Sequence, residues 1–242
     1  MTTTSLPPRS DLSLRRKALG RLSTFRYSAI ELLVALIALF IVTPFVENLP
    51  HGDLVETAIF TLVMVSAVLA VGGRRRTLVI ALLLVTPALL AKWANHVRPE
   101  LIHPTLVLMP TLVFFAFVVA HLLHFILRAP RVDGNVICAG ISGYLMLGLL
   151  WMPAYLLVLQ LSPAAFAFTP ETGAGHTFET FDAFYFSFIT LCTIGYGDVV
   201  PVSKVARMLA VMEAITGLFY ITVLISRLVA IYSAAPPPAK EP

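Results

Sequence analysis

The sequence predicts an all-α membrane protein: six transmembrane helices, with a shorter apolar half-helix and a glycine-containing segment between the fifth and the sixth. Three observations carry this. Of the 242 residues, 58% are hydrophobic and only 12% charged, with a mean hydropathy of +0.89, whereas a soluble domain carries roughly a quarter charged residues. The apolar residues fall into six runs near the ~20 residues that a helix needs to cross ~30 Å of hydrocarbon. Between the last two runs, residues 180–192 are aromatic-rich and too short to span, and a glycine-containing stretch follows them.

Residues 1–27 form a basic segment, expected on the cytoplasmic side, in which Arg9, Arg15, Arg16, Lys17, Arg21 and Arg26 alternate with Leu12, Leu14, Leu19, Leu22 and Phe25. Two readings of it stand equally: a helix lying on the membrane surface, or a charged flank for the first span. Residues 28–132 hold four spans: about Ser28 to Val46; about Leu54 to Val71, closed by Gly72-Gly73; Thr77 to Trp93, short and carrying Pro87; and Pro104 to Leu127, with a bend expected at Pro110. Residues 133–233 form a second unit, with spans from about Asn135 to Leu161 and about Ser203 to Ser233. Within it, 162–179 read as a polar Gly- and Pro-containing linker and 180–192 as an aromatic half-helix. Residues 193–201, Thr-Ile-Gly-Tyr-Gly-Asp-Val-Val-Pro, read as an extended strand. Non-helical backbone at membrane depth is tolerated only where it lines a water- or ion-filled path, so this is read as a re-entrant loop. Residues 234–242 read as a disordered Pro-rich tail.

An even number of spans puts both termini on one side. With that side cytoplasmic, thirteen bases lie inside and four (Lys92, Arg98, Lys204, Arg207) outside, in accord with the positive-inside rule. The re-entrant segment therefore enters from the outside. No cleavable signal peptide is expected, since a long basic stretch precedes the first apolar run and no small-residue cleavage pattern follows it. Cys138 and Cys192 both fall in apolar segments, which argues against a disulfide framework.

The chemistry lies in Thr193-Ile194-Gly195-Tyr196-Gly197. A permeating cation sheds most of its water, and four copies of Thr-x-Gly-Tyr-Gly replace that water by aiming backbone carbonyls at a shared axis. The glycines supply backbone angles that residues with side chains resist. One chain provides one quarter of such a ring, so a homotetrameric pore is expected.

The run from Phe186 to Asp198 resembles the pore loop of the tetrameric potassium channel family, and Pro201, Arg207, Glu213, Gly217 and Arg227 resemble the inner helix of its bacterial members. The resemblance is specific over about Asn135 to Tyr232 and only topological before that. It implies a pore domain over 133–233 (outer helix, pore helix, selectivity filter, inner helix). The spans of 28–132 would form a peripheral bundle similar to a voltage sensor without its arginines. K+ would be held by oxygens of Thr193, Ile194, Gly195, Tyr196 and Gly197, with the carboxyl end of the pore helix aimed at the cavity ion. Asp198 would brace the filter from behind, held by Tyr185 at a position where many relatives carry tryptophan. Ile189 stands where some relatives carry a carboxylate. A buried acid pair is thus not expected, which bears on the stability of the conducting filter rather than on its selectivity. Gly217 is a candidate gating hinge, with close packing against the pore helix an equal alternative. Glu213, an ionisable group inside a span, is a candidate functional carboxylate, although a hydrogen-bond anchor is the favoured reading.

Residues 104–127 contain no Lys, Arg, Asp or Glu. Each charge moved through the field is worth ~2.3 kcal/mol per 100 mV, so weak voltage dependence is expected. His121 and His124, at i and i+3, share a helix face, with interfacial packing favoured over a proton sensor or a metal pair. The expected function is passive, potassium-selective conduction, and the alternatives are a non-conducting regulatory membrane subunit or a less selective cation channel. An enzyme is not expected, because no metal cluster, nucleophilic triad or phosphate-binding loop has catalytic spacing. No cofactor is expected beyond permeant K+. The expected partners are the lipid bilayer and further copies of the chain, with no nucleic acid and with a gating ligand or lipid left open. The expected location is the cell membrane, as a multi-pass protein with both termini cytoplasmic, and the inner membrane if the chain is bacterial.

Overall fold

In a computed structural model the chain is described over residues 29–45, 52–73, 75–97, 103–169 and 177–233. The basic segment 1–27, the tail 234–242 and residues 170–176 of the linker lie outside this set. Seven helices and one two-stranded ribbon occur among the described residues: α1 Ala29–Phe45, α2 Gly52–Val71, α3 Arg75–Val97, α4 Pro104–Arg128, α5 Gly134–Leu161, β1 Phe166–Phe168, α6 Thr180–Leu191, β2 Val199–Pro201 and α7 Lys204–Ser233. Five of these helices, α2 to α5 and α7, are long and apolar enough to cross a membrane. The described part of α1 is apolar but shorter, and its flanks lie outside the described residues.

Helical periodicity explains which faces turn inward. On α2 the buried Phe60, Val63, Met64, Ala67, Val68 and Val71 repeat at three and four residues, and on α4 Thr111, Phe114, Phe115, Val118, Val119, Leu122 and Ile126 do the same. By contrast α3 buries only Ala81, Val85 and Ala88 and leaves Val79, Ile80, Leu82, Leu83 and Leu90 exposed. A helix with so thin a packed stripe leaves most of its apolar surface uncovered by the rest of the chain. It is also longer than the sequence suggested, since Pro87 is accommodated inside it. Neighbouring helices satisfy backbone freed by proline in membrane helices, and beside this proline Thr86 Oγ1 donates to the carbonyl of its own turn, Leu82, at 2.6 Å.

Residues 129–133 join α4 to α5, and these two helices pack more extensively on each other than any other pair. Asp133 caps α5 by accepting from Val136 N at 3.0 Å, and Arg227 of α7 donates to the Ala129 carbonyl at 3.0 Å. The buried apolar cluster runs without a break from α1 through α5 into Ala183 and Leu191 of α6 and Tyr220 of α7. The first helix also reaches the half-helix of its own chain, where the Phe40 ring lies 4.6 Å from Phe188 and 5.0 Å from Phe184.

Two expectations are corrected. The segment after α5 is not wholly linker, because β1 pairs antiparallel with β2 in the register Phe166 to Pro201, Ala167 to Val200 and Phe168 to Val199. Three-residue strands carry too little periodicity to be read, and their pairing is non-local. Phe166 is buried and stacks on Phe178 at 4.3 Å. Residues 193–197 are also not extended strand: Thr193, Gly195 and Gly197 have φ of 56°, 55° and 81°.

Candidate functional site

The half-helix α6 starts with a reciprocal cap, in which Glu179 N donates to Asp182 Oδ2 at 2.8 Å. Its carboxyl end explains the shape of the next five residues. Thr193 N donates to the Thr190 carbonyl at 2.9 Å and Ile194 N to the Ile189 carbonyl at 2.8 Å. This pair of bonds is a Schellman motif whose left-handed residue is Thr193. The position ordinarily selects glycine, and a β-branched residue there costs about 1–3 kcal/mol. Left-handed backbone recurs at Gly195 and Gly197 but not at Ile194 or Tyr196. Backbone that alternates in hand at successive residues turns its carbonyls toward one side, whereas a β-strand alternates them. A Cβ built on Gly195 or Gly197 would meet nothing within 4 Å, and Tyr196 is 71% exposed. The segment 193–197 thus stands open on its free side in a single chain.

Behind it, Tyr185 Oη donates to Asp198 Oδ2 at 2.7 Å, and Asp198 Oδ1 accepts from Val199 N at 3.0 Å. Partial burial, with the Asp198 carboxylate beside it, pushes the Tyr185 hydroxyl up to about 12, so it stays a donor at neutral pH. The ribbon fixes the exit from the loop: Thr169 N donates to the Asp198 carbonyl at 3.0 Å and Val202 N to the Ala165 carbonyl at 2.7 Å. Ile189 is buried, and its carbonyl receives both Ile194 N and, at 3.3 Å, Gly195 N.

On α7, Gly217 lies against the carboxyl end of α6. A Cβ there would sit 2.8 Å from both the carbonyl oxygen and the Cδ1 of Leu191. Close packing therefore accounts for the glycine, within an uninterrupted helix. Tyr144 Oη donates to the same Leu191 carbonyl at 3.2 Å. Glu213, one turn earlier, is fully buried between Tyr155 of α5 and Ser187 of α6. A carboxyl group thus does lie behind the half-helix, supplied by α7 rather than by position 189. His121 is half-buried and lies against the Phe117 ring, and His124 is exposed. Among the described residues no group of three or more His, Cys, Asp or Glu could hold a metal ion.

The supporting residues that sequence reasoning missed are Tyr155, Ser187, Tyr144 and Tyr220, the last donating to the Gly140 carbonyl at 2.9 Å. Each is a hydroxyl among mainly apolar neighbours, a signal it shares with other polar residues of the same helices.

Fold and site together define a multi-pass membrane protein whose second half carries a half-helix followed by a loop of alternating backbone hand. Residues 154–234, roughly a third of the chain, match the family model described as an ion channel. Over 80 residues, 33% of this chain and 18% of the relative, it is 35% identical to two pore potassium channel c of Oryza sativa subsp. japonica. It is 42% identical to two-pore potassium channel 4 of Arabidopsis thaliana over 48 residues, 20% of this chain and 17% of the relative. Over 36 residues, 15% of this chain and 9% of the relative, it is 53% identical to the voltage-gated potassium channel Kch of Escherichia coli (strain K12). The chain thus spans less than a fifth of the length of these relatives. No solved structure matches it.

Proposed function

We propose that four copies of this chain form a potassium-selective channel, with the carbonyls of Thr193, Ile194, Gly195, Tyr196 and Gly197 and the Thr193 hydroxyl replacing the hydration shell of K+. The observation that carries this is the alternation of backbone hand at Thr193, Gly195 and Gly197, directly after the carboxyl end of a re-entrant helix. That helix end contributes negative potential toward a cation. A lone carbonyl row cannot coordinate an ion, and rotational copies about an axis on the open side of 193–197 complete it. Asp198 and Tyr185 hold the filter from behind, and the apolar outer faces of α7 (Met208, Val211, Met212, Ile215, Leu218, Phe219) meet neighbouring copies, the pore axis or lipid. Six spans with both termini cytoplasmic, in a cell membrane, follow from α1 and from the basic clusters. With no charged side chain over 104–127, opening is at most weakly voltage-dependent. The match of residues 154–234 to an ion-channel family model, and the likeness of stretches of 80 and 36 residues to potassium channels, support the choice of ion.

The test is flux in liposomes loaded with potassium and diluted into sodium, beside vesicles carrying Gly195→Asp. The reading expects barium-blocked flux in the native protein and none in the variant. Equal flux of sodium and potassium would overturn the selectivity. Silence of folded native tetramers under all membrane potentials would leave either a channel closed for want of its gating signal or a non-conducting subunit.

A further inference from the structure

Glu213 has no exposed surface, and neither have Ser187 and Tyr155, which contact its two carboxyl oxygens. The site is closed by one chain alone, so a neighbouring copy cannot reach it. No cation faces it from any packed element. Over the described residues α5 carries no charged side chain, and α6 carries only Asp182, five residues before Ser187. The bases of α7 are Lys204, Arg207 and Arg227. Arg207 donates to the Pro201 carbonyl and Arg227 to the Ala129 carbonyl. The ion pair among the described residues is Lys92 with Glu56, in the peripheral bundle.

Counting protons turns this into chemistry. Three polar contacts meet at the cluster: Tyr155 Oη with Glu213 Oε2, Ser187 Oγ with Glu213 Oε1 at 2.6 Å, and Ser187 Oγ with the Gly148 carbonyl at 2.7 Å. The carboxylate and the carbonyl have no proton to give, and the two hydroxyls have one each. If Glu213 is ionised, two protons serve three contacts, and Ser187 is left with an oxygen–oxygen approach that has no hydrogen in it. An unpaired carboxylate would also sit in a low-dielectric interior, at a cost that normally drives the group neutral. One proton on Glu213 removes both problems.

We propose that Glu213 carries a proton and donates it, as a neutral carboxylic acid, to Ser187 Oγ. The resulting relay runs from Tyr155 to Glu213, from Glu213 to Ser187, and from Ser187 to the Gly148 carbonyl. It fastens α5, α6 and α7 to one another six residues upstream of Thr193, with every donor and acceptor matched. Glu213 is thereby a positioning residue: it acts on the filter through Ser187 and the half-helix. Its bearing on conduction rests on the filter reading above, while the proton itself does not.

The test is infrared difference spectroscopy on the reconstituted full chain at neutral pH, native against Glu213→Gln, with thermal midpoint and liposome flux measured on the same samples. The native protein is expected to show a protonated-carboxyl C=O band that shifts in D2O and is lost in E213Q. The amide of E213Q can donate to Ser187 and accept from Tyr155, so it is expected to keep the native midpoint, whereas Glu213→Ala lowers it. Ser187→Ala is expected to move the same band by removing its acceptor. Absence of the band from the native spectrum, or failure of E213Q to fold beside a folded native protein, would overturn the proposal. If native and E213Q samples are both silent in flux, the filter reading loses its support while the band and the midpoint still decide the proton.

Discussion

Replacing Gly217 by Ala separates a packed glycine from a hinge, because the two roles give opposite signs. The added methyl would lie 2.8 Å from the Leu191 carbonyl oxygen and from Leu191 Cδ1. The leucine side chain can rotate, but the carbonyl is backbone at the end of α6, so α7 or the half-helix has to move by tenths of an ångström. Overpacking of this kind costs about 1–3 kcal/mol. Moving the carbonyl also disturbs the bond it accepts from Tyr144, worth about 1 kcal/mol. Against this, Ala in a helix interior gains about 0.8–1.0 kcal/mol over Gly. The balance is a destabilisation of about 1–3 kcal/mol, with the shift delivered two residues before Thr193. The assay is the thermal midpoint of the detergent-solubilised protein, together with flux. G217A should melt lower and conduct less, and G217V should do both more severely. A G217A protein as stable as the native one or more so, with altered opening, would refute the packing argument and restore the hinge.

Four further outcomes follow. Tyr185→Phe removes the donor to Asp198 and should cost about 1 kcal/mol and shorten sustained flux, with Tyr185→Trp retaining much of both. The folded hydroxyl titrates at about 12 against about 10 when unfolded. The stability gap between native and Y185F should therefore be complete below pH ~10 and close as pH rises toward ~12, which paired melts across that range would show. Gly143→Ala places a methyl against the Tyr220 hydroxyl and should break its bond to the Gly140 carbonyl, lowering the midpoint unless Tyr220→Phe accompanies it. Conductance measured across membrane potentials should vary shallowly, and an e-fold rise within a few millivolts would contradict the absence of charge over 104–127.

Hydropathy alone placed α2, α4 and α5 within a few residues, because a membrane helix satisfies its backbone internally and reports itself as a long apolar run. The aromatic run at 180–192 and the glycine pattern at 193–197 marked the half-helix and the irregular loop after it for the same local reason: too short to span, with backbone angles that a side chain resists. Pairing of Tyr185 with Asp198 came from likeness to a family. Their 2.7 Å bond depends on the chain turning back over thirteen residues. What the sequence by itself determined was thus the membrane class and most of the helices. Tertiary structure alone decided that Thr193 closes a Schellman motif, that Phe166–Phe168 clamps the exit of the loop, that Gly217 faces a backbone carbonyl, and that Glu213 meets Ser187 and Tyr155. The Schellman motif is local, but the other three are contacts between segments 26 to 58 residues apart. Helical period and hydropathy report only which face of an element is apolar, not which partner that face will meet.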